Sequence, residues 1–186
     1  MTELVVDYDP VYWVSINADG EDLDSWATRM ATLRFPLEGR EPEEGELELM
    51  ATSLLSLVEQ QQTRETDMLY AYTPLASFPL LLVDVLILAA SDGSEQALRD
   101  LVGADDTDLI EPAAVSRVET PLGVAMRSRR YYRQEGSTAV LAVLTYGWHL
   151  PEHDVDIRLS TAVEDLAVLT AAEDDLHALV LSCHVE

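Results

Sequence analysis

Four segments with strand-like composition follow one another between residues 113 and 160, and only short connections separate them. The segments read AAVSRVET, GVAMRSRRYY, TAVLAVLTYGWHL and VDIRLS, and the connections read PLG, RQEGS and PEHD. Strands joined by such short turns run antiparallel, because parallel neighbours need a long crossover. The sequence therefore predicts an antiparallel meander, and this feature restricts the fold more than any other.

The first half of the chain predicts further strands and helices by its periodicity. Apolar residues at helical spacing indicate helices at residues 24–33 and 42–62, while alternation indicates strands at residues 11–17 and 67–73. The apolar run at residues 80–90 is read as a buried strand, although Pro79 at a first helical position leaves a helix open as an alternative. A short helix follows, with Ser94 as its cap and Gly103 as its stop.

Two capping-box patterns, Thr161-x-x-Glu164 and Thr170-x-x-Glu173, mark the C-terminal segment. They predict a short helical turn and then a helix at about residues 171–182. Together these elements predict one α+β domain over residues 1–186. We expect an α/β/α sandwich with an antiparallel sheet of about six to seven strands packed against helices.

The charge of the chain restricts its partners. It contains 35 acidic residues and 11 basic ones, all of them arginine, which gives a formal net charge of -24. Such a field opposes nucleic acid and anionic lipid, so we expect neither as a partner. Basic proteins are more natural partners, and the absence of lysine excludes Schiff-base chemistry.

Three features predict a cytoplasmic protein. The N-terminal segment lacks the pattern of a secretory signal. The longest apolar run, PLLLVDVLILAA, is too short to span a bilayer and contains Asp84. The single cysteine, Cys183, cannot form an internal disulfide, which fits a reducing compartment.

The segments IRLSTA at residues 157–162 and EDDLHALVLS at residues 173–182, supported by VETPLGVAMRSR, resemble the PsbP-like family. In that family a late strand ends in a Leu-Ser-Thr type stretch, and a final helix packs back on the sheet. The resemblance covers about the last 75 residues well and the first half only in the order of its elements. The family includes photosystem-associated subunits, a Ran GTPase partner and actinobacterial proteins. It implies a binding or assembly role without catalytic residues.

The motifs of common catalytic sites are missing from the sequence. It contains no G-x-S-x-G elbow, no glycine-rich phosphate loop and no H-E-x-x-H spacing. We therefore predict no enzyme and no cofactor. His149, His153, Asp154 and Asp156 surround the PEHD turn, but we interpret them as a polar hairpin tip and predict no metal site. Nothing in the sequence places His184 beside that hairpin.

A basic stripe lies in the second strand of the meander. Alternation places Arg127, Arg129, Tyr131 and Arg133 on one face. We interpret the stripe as a solvated sheet face with cross-strand carboxylate pairs, for which Asp154 and Asp156 are candidates. The alternative is that it docks an acidic segment of a partner or of a second copy of the chain.

Three further residues complete the candidates. Trp13 is added to the stripe as part of a predicted protein interface, whereas Trp26 and Trp148 are expected in the core. Asp84, within LLLVDVLIL, and Arg130, on the opposite face from the stripe, are buried polar candidates. A buried charge needs a partner, and Asp84 is a candidate partner for Arg130.

Two classes of function follow. The first is a non-enzymatic cytoplasmic interaction, assembly or adaptor module that binds another protein or itself. The second is an enzyme or small-ligand protein whose pocket lies between sheet and helices. Asp84 or the His149/His153 hairpin would supply its polar groups.

Overall fold

The computed structural model describes residues 4–17, 22–37, 39–62, 65–74, 80–133 and 139–186, without the side chains at 60–62. Its chain divides into two compact units. We call Asp9–Leu82 the helical unit, and Met1–Tyr8 with Val83–Glu186 the sheet unit. The single-domain prediction for residues 1–186 stays a prediction. Two of the expected turns, at residues 18–21 and 134–137, lie outside the described residues.

The helical unit contains two short strands and two helices. They are β2 (Trp13–Ser15), α1 (Leu23–Leu37), α2 (Glu46–Gln62) and β3 (Met68–Tyr72). The two strands pair antiparallel, with Trp13 opposite Tyr72. Both helices continue the apolar periodicity seen in the sequence, although α1 extends four residues beyond its expected end.

The core of the helical unit forms where the apolar sides of both helices meet the strands. Its fully buried members include Ile16, Ala31, Met50, Leu54 and Ala71. Trp26, which is 2 % exposed, also belongs to this core, as expected from its helical spacing. Burial of this apolar surface is the main source of stability for such a small unit.

The sheet unit contains the predicted meander and two helices. Its elements are β1 (Leu4–Val6), β4 (Leu81–Ala89, which begins in the helical unit), α3 (Glu95–Leu101), β5 (Ala114–Thr120), β6 (Gly123–Arg133), β7 (Val140–Leu150), β8 (Val155–Val163), α4 (Leu166–Leu181) and β9 (Cys183–Val185). The main strands lie in the order β4-β8-β7-β6-β5, and each neighbouring pair is antiparallel. Separately, β1 pairs with β9.

The sheet of this unit has two different faces. The α4 face contains Tyr146, Trp148 and Leu159, all about 1 % exposed, and buried residues of α4 complete this core. The α3 face contains polar residues in register, including Ser128 opposite Thr145 and Thr145 opposite Ser160. A Cβ atom on Gly147 would lie 2.7 Å from Val102 Cγ1, so the absence of a side chain there allows the α3 end to approach β7.

The α+β class, with an antiparallel sheet packed against helices, is confirmed. The five strands of the sheet unit's main sheet and the two of the helical unit give the expected number, and the short strands β1 and β9 form a separate pair. The run at residues 80–90 forms strand β4 and not the alternative helix. Ser94 caps α3 as predicted, because its side chain accepts a hydrogen bond from the Ala97 amide.

The helix predicted at about residues 171–182 is present, but the separate helical turn predicted before it is wrong. One continuous helix, α4, replaces the turn and shorter helix. Asp165 caps it by accepting from the Ala167 amide at 2.9 Å, while Thr161 belongs to β8. Thr170 lies inside the helix, and its hydroxyl donates to the Leu166 carbonyl at 2.8 Å. The Thr-x-x-Glu pattern is the same whether the threonine hydroxyl caps a helix or bonds to a carbonyl of the preceding turn, so the sequence could not separate the two.

Candidate functional site

The arginine stripe on β6 lies on the α4 face, and a carboxylate of α4 contacts it. Glu173 forms ion pairs with Arg127 and with Arg129, whose side chains are 25 % and 28 % exposed. The Arg127 guanidinium also lies over the Tyr146 ring, 5.9 Å from its centroid. The pairing is thus with a helix and not, as expected, across strands. Binding of a partner by these residues stays a prediction.

This arrangement favours the ionised form of Glu173. Burial opposes its charge, but hydrogen bonds and charge pairing with Arg129 and Arg127 outweigh burial and lower the pKa of Glu173. The same pairing outweighs burial at Arg129 and raises the pKa of its guanidinium. Tyr131 is half-buried on the same strand, and Arg133 is exposed at its end.

Trp13, the other residue of the predicted interface, is only 2 % exposed. Its ring packs against Tyr72 with centroids 5.0 Å apart. It therefore offers almost no side-chain surface to a partner. Trp148 is 1 % exposed and donates from Nε1 to Thr120 Oγ1 at 2.9 Å, so its core position is confirmed.

Arg130 has a partner other than the one suggested by the sequence. Its Nη1 atom lies 2.7 Å from Asp106 Oδ2, in the loop after α3, and its Nη2 atom donates to Thr145 Oγ1 at 2.7 Å. Tyr132 also hydrogen-bonds Asp106, and burial together with this bond raises the pKa of Tyr132. Asp84 is half-buried on β4, opposite Ser160.

The hairpin of β7 and β8 contains a histidine, His149, whose ring contacts a carboxylate. His149 Nδ1 lies 2.6 Å from Asp156 Oδ1, and the Ser91 amide donates to the other oxygen of Asp156 at 2.9 Å. Burial alone would raise the pKa of Asp156, but the bonds from Ser91 and His149 outweigh it and lower that pKa. Asp156 lies on the α3 face, so it is not a partner for the stripe.

The structure also brings His184 to this hairpin, which the sequence did not predict. His149, His153 and His184 line one cleft of about 440 Å³, because β9 returns beside the end of β7. No group of three His, Cys, Asp or Glu residues in the described ranges could hold a metal ion. The neighbouring Cys183 is buried, and this raises the pKa of its thiol to about 12.

Strand β5 forms an edge of the sheet unit's main sheet, a position that the sequence did not predict. Its one neighbour in that sheet is β6. Five of its seven residues are exposed: Ala114, Val115, Ser116, Arg117 and Glu119. The order of strands is a tertiary property, so a pattern of alternating residues could not show which strand lies at the edge.

The backbone direction of β5 follows from its neighbour. The Ile110 amide donates to the Tyr131 carbonyl at 2.9 Å, so the odd-numbered residues of β6 direct their backbone groups towards the β5 side. Arg127 and Arg129, also odd-numbered, lie opposite Ser116 and Ala114. The amides of Val115, Arg117 and Glu119 therefore point away from the sheet, and within the described ranges they have no backbone partner.

One buried arginine of the helical unit was missed entirely. Arg34 is 1 % exposed and donates to the Val11 carbonyl at 2.7 Å, as well as to the carbonyls of Pro10 and Thr73. It satisfies backbone acceptors next to β2 and β3, which is a structural role. The periodicity of α1 places position 34 near the core, but it does not indicate which backbone carbonyls the Arg34 side chain contacts.

The comparisons with known proteins give no family for this chain. Its sequence matches no protein-family model, and a search of curated proteins found no match. Within the described part of the chain, no helix is long and apolar enough to cross a bilayer.

Proposed function

We propose that this protein is a non-enzymatic interaction or assembly module that binds an extended segment of another protein along strand β5. The observation that supports the proposal most directly is the row of outward amides at Val115, Arg117 and Glu119 on an exposed edge. An unpaired edge is a template for another strand, and many domains bind peptides by adding a strand to such an edge.

The charges beside the edge favour a basic segment. Asp108, Glu111 and Glu119 are exposed, and within the described ranges none of them has an ion pair. Arg117 is already paired with Glu95 of α3. Charges within about 8 Å of each other interact appreciably at physiological salt. The acidic residues beside β5 therefore affect a segment bound there more than the other charged residues of the chain do.

The same charges disfavour a second copy of the chain as the occupant. Two β5 strands related by a two-fold axis would pair antiparallel. With Val115 opposite Val115, Glu111 of one copy faces Glu119 of the other, and with Arg117 opposite Arg117 the two arginines face each other; like charges in such positions repel. We therefore propose a hetero-complex. A solution mass of one chain at micromolar concentration would agree with it, whereas a stable dimer that dissociates in R117P would contradict the choice of occupant.

We also propose that the protein is cytoplasmic and belongs to the PsbP-like family. The single buried cysteine supports a reducing compartment. Packing of the final helix α4 on the sheet beside β7 and β8 is what the resemblance implies for a member of that family. Neither proposal affects the argument from β5.

Affinity capture from extracts of the source organism tests the proposed function. The wild-type chain is compared with R117P, which removes one outward N–H, and with R117A, which removes the same side chain but keeps that N–H. We expect a specific protein that is retained by wild type and R117A and lost by R117P. A partner retained equally by all three would show that β5 is not the binding strand.

A further inference from the structure

A polar cleft of about 300 Å³ lies on the α3 face of the sheet unit. We call it the arginine cleft, and the residues that matter for its chemistry are Asp100, Asp106, Arg130, Thr145, Arg158 and Ser160. Its volume is at the lower limit for small-molecule sites. A ligand for it would therefore be small.

One of the two arginines in this cleft is bound by the protein through both of its Nη atoms. Arg130 contacts Asp106, Tyr132 and Thr145 through its two Nη atoms, at 2.7 to 2.9 Å. Its charge is compensated by Asp106, and its side chain is 11 % exposed. Arg130 thus forms a rigid wall of the cleft and leaves no net positive charge there.

Arg158 differs from it. Within the described ranges the Arg158 side chain has no hydrogen bond or ion pair, and its Nε atom is shielded from solvent without a partner. Each of the other arginines with a shielded Nε atom has a carbonyl or carboxylate partner through its Nη atoms: Arg34, Arg127, Arg129 and Arg130. Arg133 is exposed, so water solvates it.

An uncompensated guanidinium is unexpected in this chain, which has 35 acidic residues for 11 basic ones. A half-buried charge with a shielded donor is unfavourable unless a partner satisfies it. Arginine presents its N–H groups in a fork that matches the two oxygens of a carboxylate. The hydroxyl of Ser160, two residues further on the same face of β8, is a second donor in the cleft.

The opposite side of the cleft carries negative charge. Asp100 is exposed at the end of α3, where it accepts a hydrogen bond from Gln96 at 2.8 Å and forms no ion pair within the described part of the chain. Asp106 lies beside it in the next loop. Because Asp106 is already paired with Arg130, Asp100 is the carboxylate that repels a dianion such as phosphate and attracts a cation, so the cleft presents a positive and a negative side.

From this arrangement we propose that the arginine cleft binds a small zwitterion of the amino-acid class. Arg158 and Ser160 bind its carboxylate, and Asp100 binds its ammonium group. The site does not depend on the edge strand β5, and it uses neither Asp84 nor the histidine hairpin as ligand contacts.

Titration of the wild-type protein with free amino acids tests the proposal. The probes are glycine, glutamate, lysine and leucine at millimolar concentration. Acetate and inorganic phosphate serve as comparison anions that lack an ammonium group, and ¹⁵N NMR follows the Arg158 Nε resonance. We expect a saturable change with at least one amino acid, and weaker or no saturation with acetate and phosphate. No saturable change with any amino acid would overturn the proposal, as would tighter binding of phosphate.

Two variants identify the contacts. R158Q is expected to weaken binding of that amino acid by about tenfold or more, because a charge-assisted hydrogen bond is lost. R133Q, which removes the same charge from an exposed site, should leave it unchanged. D100N should weaken binding of the amino acid and leave binding of acetate unchanged. Equal binding by R158Q and wild type would refute the assignment, and the wild-type NMR titration decides it if R158Q fails to fold.

Discussion

Arg129 on strand β6 and Glu173 on helix α4 form an ion pair of 2.5 Å. The pair fixes α4 against the sheet at the point where an arginine stripe would otherwise face solvent. The sequence contains many carboxylates that could pair with Arg129. Its partner in the structure, Glu173, lies 44 residues away in sequence on another element.

Replacing Glu173 by glutamine should destabilise the sheet unit by about 1 kcal/mol at neutral pH, a modest value because the pair is partly exposed. The pKa of Glu173 is lowered in the folded state. Its contribution is therefore present above the ordinary glutamate pKa and is lost as pH falls through the lowered folded pKa. Urea unfolding of wild type and E173Q between pH 7 and pH 3 measures this.

The two unfolding curves should approach each other as pH falls. E152Q is the matched control, since Glu152 is exposed in the turn between β7 and β8. It should differ little from wild type at any pH. A constant difference between E173Q and wild type over the whole pH range would show that the ion pair contributes nothing.

Arg34 is expected to be the most important charged residue for the stability of the helical unit. R34M keeps an apolar stem of similar length but leaves three backbone carbonyls without their donor. Loss of a buried charged donor should cost about 3 kcal/mol or more. R29M, at an exposed position of the same helix, should stay within about 0.5 kcal/mol of wild type. Urea unfolding that shows equal losses for both variants would contradict this role.

The close approach of His149 to Gly93 gives a further prediction. A Cβ atom at Gly93 would lie 2.4 Å from His149 Cδ2, and the residue has a φ of +66°. G93A should therefore destabilise the protein by roughly 1 to 3 kcal/mol. It should also shift the His149 ring resonances, because the ring must move away from the new methyl group.

Gly45 provides the control for backbone strain alone. Its φ is +84°, and a Cβ atom there would meet nothing within 4 Å. G45A should thus show only the smaller cost of the left-handed conformation and leave His149 unchanged. If G45A and G93A lose the same stability and neither moves the His149 resonances, the contact has no energetic effect.

The direction of the β5 amides can be tested without a partner. R117P removes an outward N–H and an exposed ion pair, so we expect a loss of about 1 kcal/mol. S116P removes an inward N–H that pairs with β6, and proline in such a position should cost about 3 kcal/mol or more. Thermal unfolding compares the two, and a greater loss for R117P would reverse the assigned direction.

The sequence was most informative where local chemistry determines the structure. The tight connections predicted the meander correctly, and Ser94 was identified as a cap because its hydroxyl acts on the amide three residues later. Alternation also separated Arg127 and Arg129 from Arg130 correctly. These features depend on neighbours in sequence, so one chain is sufficient to recognise them.

Long-range partners could not be predicted in the same way. Glu173, Asp106 and the carbonyls that Arg34 contacts are distant in sequence from their arginines. Strand β9 brings His184 beside the hairpin by pairing with β1, and neither three-residue strand has a pattern long enough to recognise. The position of β5 at the edge likewise depends on the order of all strands.

Amide hydrogen exchange of the complex tests the central proposal most directly. The protein is measured alone and with the protein captured from its source organism. The account predicts that Val115, Arg117 and Glu119 exchange rapidly in the free chain and become protected together in the complex, while Ser116 and Val118 are already protected by β6. Unchanged exchange at all three outward amides in a saturated complex would contradict the proposal that β5 is the binding strand.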